Sequence, residues 1–174
     1  MRYNFPMKTK QILLATLLFF LVGNLLAEQN ITTVLLIRHA EKSKTPPDNP
    51  VLTEEGKLRS ENLVHVLGSA GIKTIYVSQW TRTHLTAEPI AKHLGIKPEQ
   101  VDAADSKKLV DTILTKHAGE TVLVVGHSDT VPEMIAALGG PSMPELGEFE
   151  FDNLFVVTVY APGKASVVRL KYGK

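Results

Sequence analysis

Three runs rich in aliphatic and β-branched residues, "ITTVLLI" (31–37), "IKTIYVS" (72–78) and "TVLVVGHS" (121–128), constrain the fold of this chain more than any other feature. The first and third are continuously apolar, which marks strands covered on both faces rather than surface strands with alternating polarity. Helical periodicity fills the gaps between them. "LTEEGKLRSENLVHVLGSAG" (52–71) opens on Thr53 as N-cap, carries acidic residues in its first turn, spaces Leu58, Leu63, Val64 and Leu67 helically, and ends at Gly71. "TRTHLTAEPIAKHLG" (81–95) predicts a helix kinked at Pro89. "SKKLVDTILTKHAG" (106–119) sets Leu109, Val110, Ile113 and Leu114 along one stripe, and Thr130 with Glu133 has capping-box spacing for a helix running to 140. A brief strand is expected around Val101, and a hairpin about Pro162-Gly163 within 153–172. Strands alternating with helices predict an α/β fold: a mostly parallel sheet covered on both faces, with an antiparallel C-terminal edge.

A chain of 174 residues that is 44% hydrophobic has material for one packed domain. Its first 27 residues differ from the rest. Arg2, Lys8 and Lys10 precede the uncharged run "ILLATLLFFLVGNLLA" (12–27), the pattern of a secretory leader ahead of a domain at 28–174. Leu25 occupies the −3 position of a cleavage after Ala27, where a small residue is usual, so an uncleaved membrane anchor is the alternative. Of 19 Lys+Arg and 18 Asp+Glu, the part beyond residue 27 keeps 16 and 18, a formal charge of −2, which argues against nucleic acid as a partner. The absence of cysteine excludes disulfides, thiolate metal sites and a cysteine nucleophile, and suits export to a bacterial periplasm.

In open parallel sheets, ligands sit at the carboxyl ends of the strands. Those ends here supply Arg38 and His39, then Ser78 and, one turn on, Arg82, then Gly126 and His127. Two guanidiniums and two imidazoles on one rim repel one another unless an anion joins them. A phosphoryl group fits, because guanidinium forks bind its oxygens and the helix from Thr130 adds N–H donors. A histidine among cations has a depressed pKa, stays neutral, and is therefore nucleophilic. Covalent transfer through it divides phosphoryl chemistry into two steps, with no cofactor and no metal.

Four segments in order resemble the histidine phosphatase (phosphoglycerate mutase-like) superfamily. "LLIRHAEKS" is similar to its Arg-His-Gly strand end, "LTEEGKLRS" to its Leu-Thr-x-x-Gly-x-x-Arg stretch, "VSQWTRTHLTAEPIA" to its Ser-x-x-x-Arg-Thr-x-x-Thr-Ala segment, and "VLVVGHSDTVPEMIAALGG" to its second-histidine motif. The resemblance implies a three-layer α/β/α sandwich, phosphorylation of His39, and a phosphate-binding set of Arg38, His39, Arg82 and His127. Two features depart from it. Ala40 stands where glycine is usual, at a cost of roughly 1 kcal/mol if that position needs positive φ. No residue matches the glutamate that serves larger members as proton donor; Asp105 and Asp129 are the candidates, each of which also reads as a local cap or turn residue. General acid catalysis is worth ~10²–10⁴-fold, so its loss would favour acyl or nitrogen-linked phosphates.

Blander readings accompany each residue. Arg38-His39 could be an ion pair and a hydrogen-bonded core histidine, and Arg82 could snorkel from its helix. His65, His84, His93 and His117 read as surface or boundary residues. Glu41 reads as orienting the loop or a phosphate-pocket arginine, or as a solvated side chain, Trp80 as part of the site's mouth or packing, and Ser43 and Thr83 as phosphate donors or local caps. The whole predicts an exported, metal-independent phosphatase acting on a small phosphorylated substrate, with the membrane a partner only if the leader is retained. The alternative is a periplasmic phospho-ligand binding module without turnover.

Overall fold

The computed structural model describes residues 31–173; the segment read as a leader, 1–27, lies outside them. Six strands form one sheet in the order β3-β2-β4-β1-β5-β6. They are β1 (Thr32–Arg38), β2 (Ile72–Val77), β3 (Glu99–Gln100), β4 (Thr121–Gly126), β5 (Asn153–Ala161) and β6 (Lys164–Lys171). The first four run parallel, and β5 and β6 add the antiparallel edge. The helices are α1 (Glu54–Leu67), α2 (Thr81–Leu94), α3 (Ser106–Lys116) and α4 (Thr130–Ala137), with a 3₁₀ turn at Ala103–Asp105.

Alternation along the central strands explains their uninterrupted apolarity. Val34 and Leu36 of β1 join Val122 and Val124 of β4 beneath Ile113 of α3 and Ile135 of α4. Leu35 and Ile37 join Leu123 and Val125 beneath Leu63 of α1 and Ile90 of α2. Each face of the sheet thus has its own core, which gives the three-layer α/β/α sandwich. Every fully buried aliphatic side chain contributes about 1.5–3 kcal/mol.

Local details depart from the sequence reading. α1 stops at Leu67 and is closed by Gly68, while Gly71, with φ +70°, turns the chain into β2. Leu58 is exposed on α1, whereas Arg59 turns inward. Pro89 sits inside an unbroken α2. Asp129, rather than Thr130, caps α4, because the Thr130 hydroxyl is taken up by the backbone N–H of His127 at 2.9 Å. Glu133 consequently closes no capping box; its carboxylate accepts from the Ser106 hydroxyl at 3.3 Å.

Candidate active site

β2, β4 and β1 are neighbours in register, with Val77 beside Val125 and Arg38 beside Gly126. Their carboxyl ends therefore open on one rim, where Arg38, His39, Ser78, Arg82 and His127 meet. The backbone N–H of His39 still donates to the Gly126 carbonyl at 2.9 Å, so the strand pairing extends up to the imidazole. The His39 and His127 rings lie edge to face with centroids 5.4 Å apart.

The tautomer of His39 follows from its contacts. Nδ1 lies 2.8 Å from the Ala40 carbonyl, which can only accept, so Nδ1 carries the proton and Nε2 keeps its lone pair. Burial holds the His39 pKa down at about 3, and the charges of Arg82, His127 and Arg38 reinforce that against the opposing carbonyl bond. Burial likewise lowers His127 to about 4, helped by Arg82 and partly offset by Asp129. Both imidazoles are neutral at pH 7.

Arg38 is buried and held from below. Its Nη1 donates to the carbonyls of Gly147 (2.7 Å) and Glu148 (3.1 Å), and its guanidinium lies 4.3 Å over the Phe151 ring. Arg82 stands 5.0 Å over the Trp80 ring, with Nη2 3.4 Å from His127 Nδ1. Burial depresses both guanidiniums, and for Arg38 the neighbouring Arg82 adds to it. Arg38 Nε and Arg82 Nε are buried with no hydrogen-bond partner in the protein. An unsatisfied buried donor costs about 1–3 kcal/mol, and more when charged. Two guanidinium charges acting on a pair of neutral imidazoles suit a tetrahedral oxyanion.

The loop after His39 is fixed on every side. The Ala40 N–H donates to Thr86 Oγ1 at 2.9 Å, and the Thr86 hydroxyl donates to the Arg82 carbonyl at 2.7 Å, tying the loop to α2. Ala40 is fully buried, and no non-glycine residue among the described ones has positive φ, so the methyl group brings no backbone strain. Glu41 takes Arg59 in a forked pair, with Nη2 at 2.6 Å and Nε at 2.9 and 3.0 Å, while Arg59 Nη1 reaches the carbonyls of Tyr172 and Gly173, each at 2.7 Å. The Thr53 N–H donates to the Glu41 carbonyl at 2.9 Å, and Gly56 lies so close to that carbonyl that a side chain there would collide. The "LTEEGKLRS" stretch is thus a buttress for the His39 loop.

The two acidic candidates differ in placement. Asp129 is exposed at the start of α4, accepts from the Thr130 N–H at 2.8 Å, and acts through its charge on Arg38, Arg82 and His127. Asp105 precedes α3, makes no capping bond and lies 3.7 Å from Lys108, in contact with none of the four site residues. The 141–152 connection, expected from the sequence to shape the entrance without a readable conformation, contains a strap at 147–151 whose carbonyls and Phe151 ring hold Arg38 from more than 100 positions away. Of the remaining histidines, His117 bridges the Tyr76 hydroxyl (2.9 Å) and Glu120 (2.8 Å) at the far side of the sheet.

The family model of the histidine phosphatase superfamily (branch 1) matches residues 34–106, which include Arg38, His39 and Arg82 but stop short of His127. No curated protein matches the chain at a significant level. Solved structures share the fold. The protein histidine phosphatase SixA complexed with tungstate is 20% identical, aligned over 80% of this chain and 96% of its own, with a TM-score of 0.64. A mycobacterial glucosyl-3-phosphoglycerate phosphatase is 13% identical over 79% and 97%, with a TM-score of 0.62. Bacillus stearothermophilus YhfR is 21% identical over 79% and 95%, with a TM-score of 0.63. The matched segment, residues 34–106, is similar to the histidine phosphatase superfamily, and the solved structures share the three-layer fold of this chain.

Proposed function

We propose that this protein is a metal-independent phosphatase that works through a phosphohistidine on His39. The observation that carries the reading is the meeting of His39, whose Nδ1 is already committed to a carbonyl, with His127 at 5.4 Å between ring centroids and with the charges of Arg38 and Arg82 acting on both rings. His39 Nε2 attacks phosphorus, the bond from phosphorus to the leaving group breaks, and that group departs with the electron pair. Water then attacks the phosphohistidine, the P–N bond breaks, and the electron pair returns to Nε2 while the water's proton passes to product phosphate or solvent. Arg38 and Arg82 hold the charge on the transferring oxygens, and His127 adds a hydrogen bond and, when protonated, a charge. The tungstate complex of SixA supports an oxyanion pocket in this fold.

Asp129 is the better placed of the two acids to protonate a leaving group, since it sits beside the pocket and Asp105 does not. A solvent-exposed acid of this kind suits small phosphorylated compounds reached from outside. The leader pattern supports a periplasmic location, with phosphomonoesters or phosphorylated sugars of the envelope as substrates; intact-mass measurement of the mature chain and cell fractionation check it. Hydrolysis of para-nitrophenyl phosphate with EDTA present, by the native chain and by His39→Ala, tests the activity. Turnover that EDTA leaves intact and that His39→Ala abolishes is expected. Phosphate binding without any turnover would replace the enzyme by a phospho-ligand binding module.

A further inference from the structure

We infer that Ser78 is a positioning residue that fixes which nitrogen of His127 carries the exchangeable proton, so that this proton is always the one facing the phosphoryl pocket. The inference rests on the phosphatase reading for its kinetic consequence, though not for its spectroscopic one. His127 has polar neighbours at both ring nitrogens. Nδ1 faces Arg82 Nη2 at 3.4 Å, and a guanidinium only donates, so in the neutral ring Nδ1 accepts. Nε2 therefore holds the hydrogen and donates to the Ser78 hydroxyl oxygen at 2.9 Å.

The remaining bonds keep that oxygen an acceptor toward His127. The Ser78 hydroxyl lies 3.1 Å from Thr83 Oγ1, and the Thr83 hydroxyl donates to the Trp80 carbonyl at 2.8 Å. Thr83 thus has its hydrogen engaged and its lone pairs free, so the Ser78 hydrogen points to Thr83 and its lone pairs point to His127. The Trp80 N–H, at 3.3 Å, also donates to the Ser78 oxygen. Ser78 is 5% exposed and Thr83 0%, so water has no easy way to substitute for either hydroxyl.

With Nε2 committed, any proton gained or lost by His127 must come and go at Nδ1. When a phosphoryl oxygen enters between Arg82 and His127, protonation at Nδ1 creates a donor aimed at it without disturbing the bond to Ser78. Removing the hydroxyl leaves the Nε2 hydrogen without its acceptor, and the ring can then move its hydrogen to Nδ1, where it opposes the Arg82 donors. The tautomer of a histidine is commonly set this way by the bond its other nitrogen makes.

The test uses the full-length chain with ¹⁵N-labelled histidine at pH 7, with and without inorganic phosphate, together with para-nitrophenyl phosphate kinetics. In the native chain, the His127 signals should report hydrogen on Nε2, and phosphate should shift Nδ1 alone. Ser78→Ala should mix the tautomers and lower kcat about tenfold or more with a smaller change in KM; Ser78→Thr, which keeps the hydroxyl, should restore both. Hydrogen on Nδ1 in the native chain would overturn the inference, and so would an unchanged tautomer in Ser78→Ala or a shifted tautomer with unchanged kcat. A native chain that shows the expected tautomers yet hydrolyses nothing would instead overturn the phosphatase reading and leave the Ser78 assignment supported.

Discussion

His39 and His127 face each other edge to face at 5.4 Å from the ends of two neighbouring parallel strands, both neutral and both crowded by guanidinium charge. Their depressed pKa values, about 3 and about 4, make this pair a source of acid sensitivity. In the unfolded chain each binds a proton near pH 6.5, so between that pH and their folded values the unfolded state holds more protons. Stability should therefore be fully present above about pH 6.5 and fall as pH drops toward 4. Urea unfolding across that window should show a shallower slope for His127→Asn than for the native chain; equal slopes would remove the pair as the cause.

A bound dianion should reverse part of that penalty. Sulfate, already a dianion at pH 5, favours the charged form of each imidazole when seated among Arg38, His39, Arg82 and His127, so its binding near pH 5 should take up protons. Calorimetry in buffers of different ionisation enthalpy measures the uptake directly. Proton release, or no uptake at all, would contradict the arrangement.

The Arg59–Glu41 pair is almost fully enclosed, with side-chain exposures of 10% and 13%. Breaking a buried pair by removing one partner typically costs about 3–5 kcal/mol, because the other charge is left without compensation. Arg59→Ala also deprives the Tyr172 and Gly173 carbonyls of a donor, so it should destabilise more than Glu41→Gln. Denaturant midpoints rank the two, and the reverse order would count against the buttress.

Gly56 faces the Glu41 backbone with no room for a methyl group. Gly56→Ala should cost about 1–3 kcal/mol and lower turnover as well, since the strain passes to the loop that carries His39. Thermal melts and kinetics together decide it; a stable, fully active variant would show that the loop tolerates displacement.

Much of the site was legible because its signals are local in sequence. A buried strand that stops at Arg38-His39, and another at Gly126-His127, needs only strand polarity to be placed on one rim. What could not be read were contacts across the chain. Arg38 is gripped by carbonyls of Gly147 and Glu148, and backbone acceptors leave no mark in a sequence. The partner of Arg59 was hidden similarly, since inward rotation of α1 sends Leu58 outward against the hydrophobic pattern. Thr130 and Glu133 had capping-box spacing, but the bond from the His127 N–H claimed the Thr130 hydroxyl first.

Turnover through His39 requires a bond between phosphorus and its Nε2. Rapid quenching of the native chain during turnover of para-nitrophenyl phosphate, followed by mass analysis of its peptides under alkaline conditions, reads it most directly. A single phosphoryl group on the peptide containing His39, stable to base, lost in acid and missing from His39→Ala, is the predicted result. Turnover with no such adduct in the native chain, or with the adduct on another residue, would contradict it.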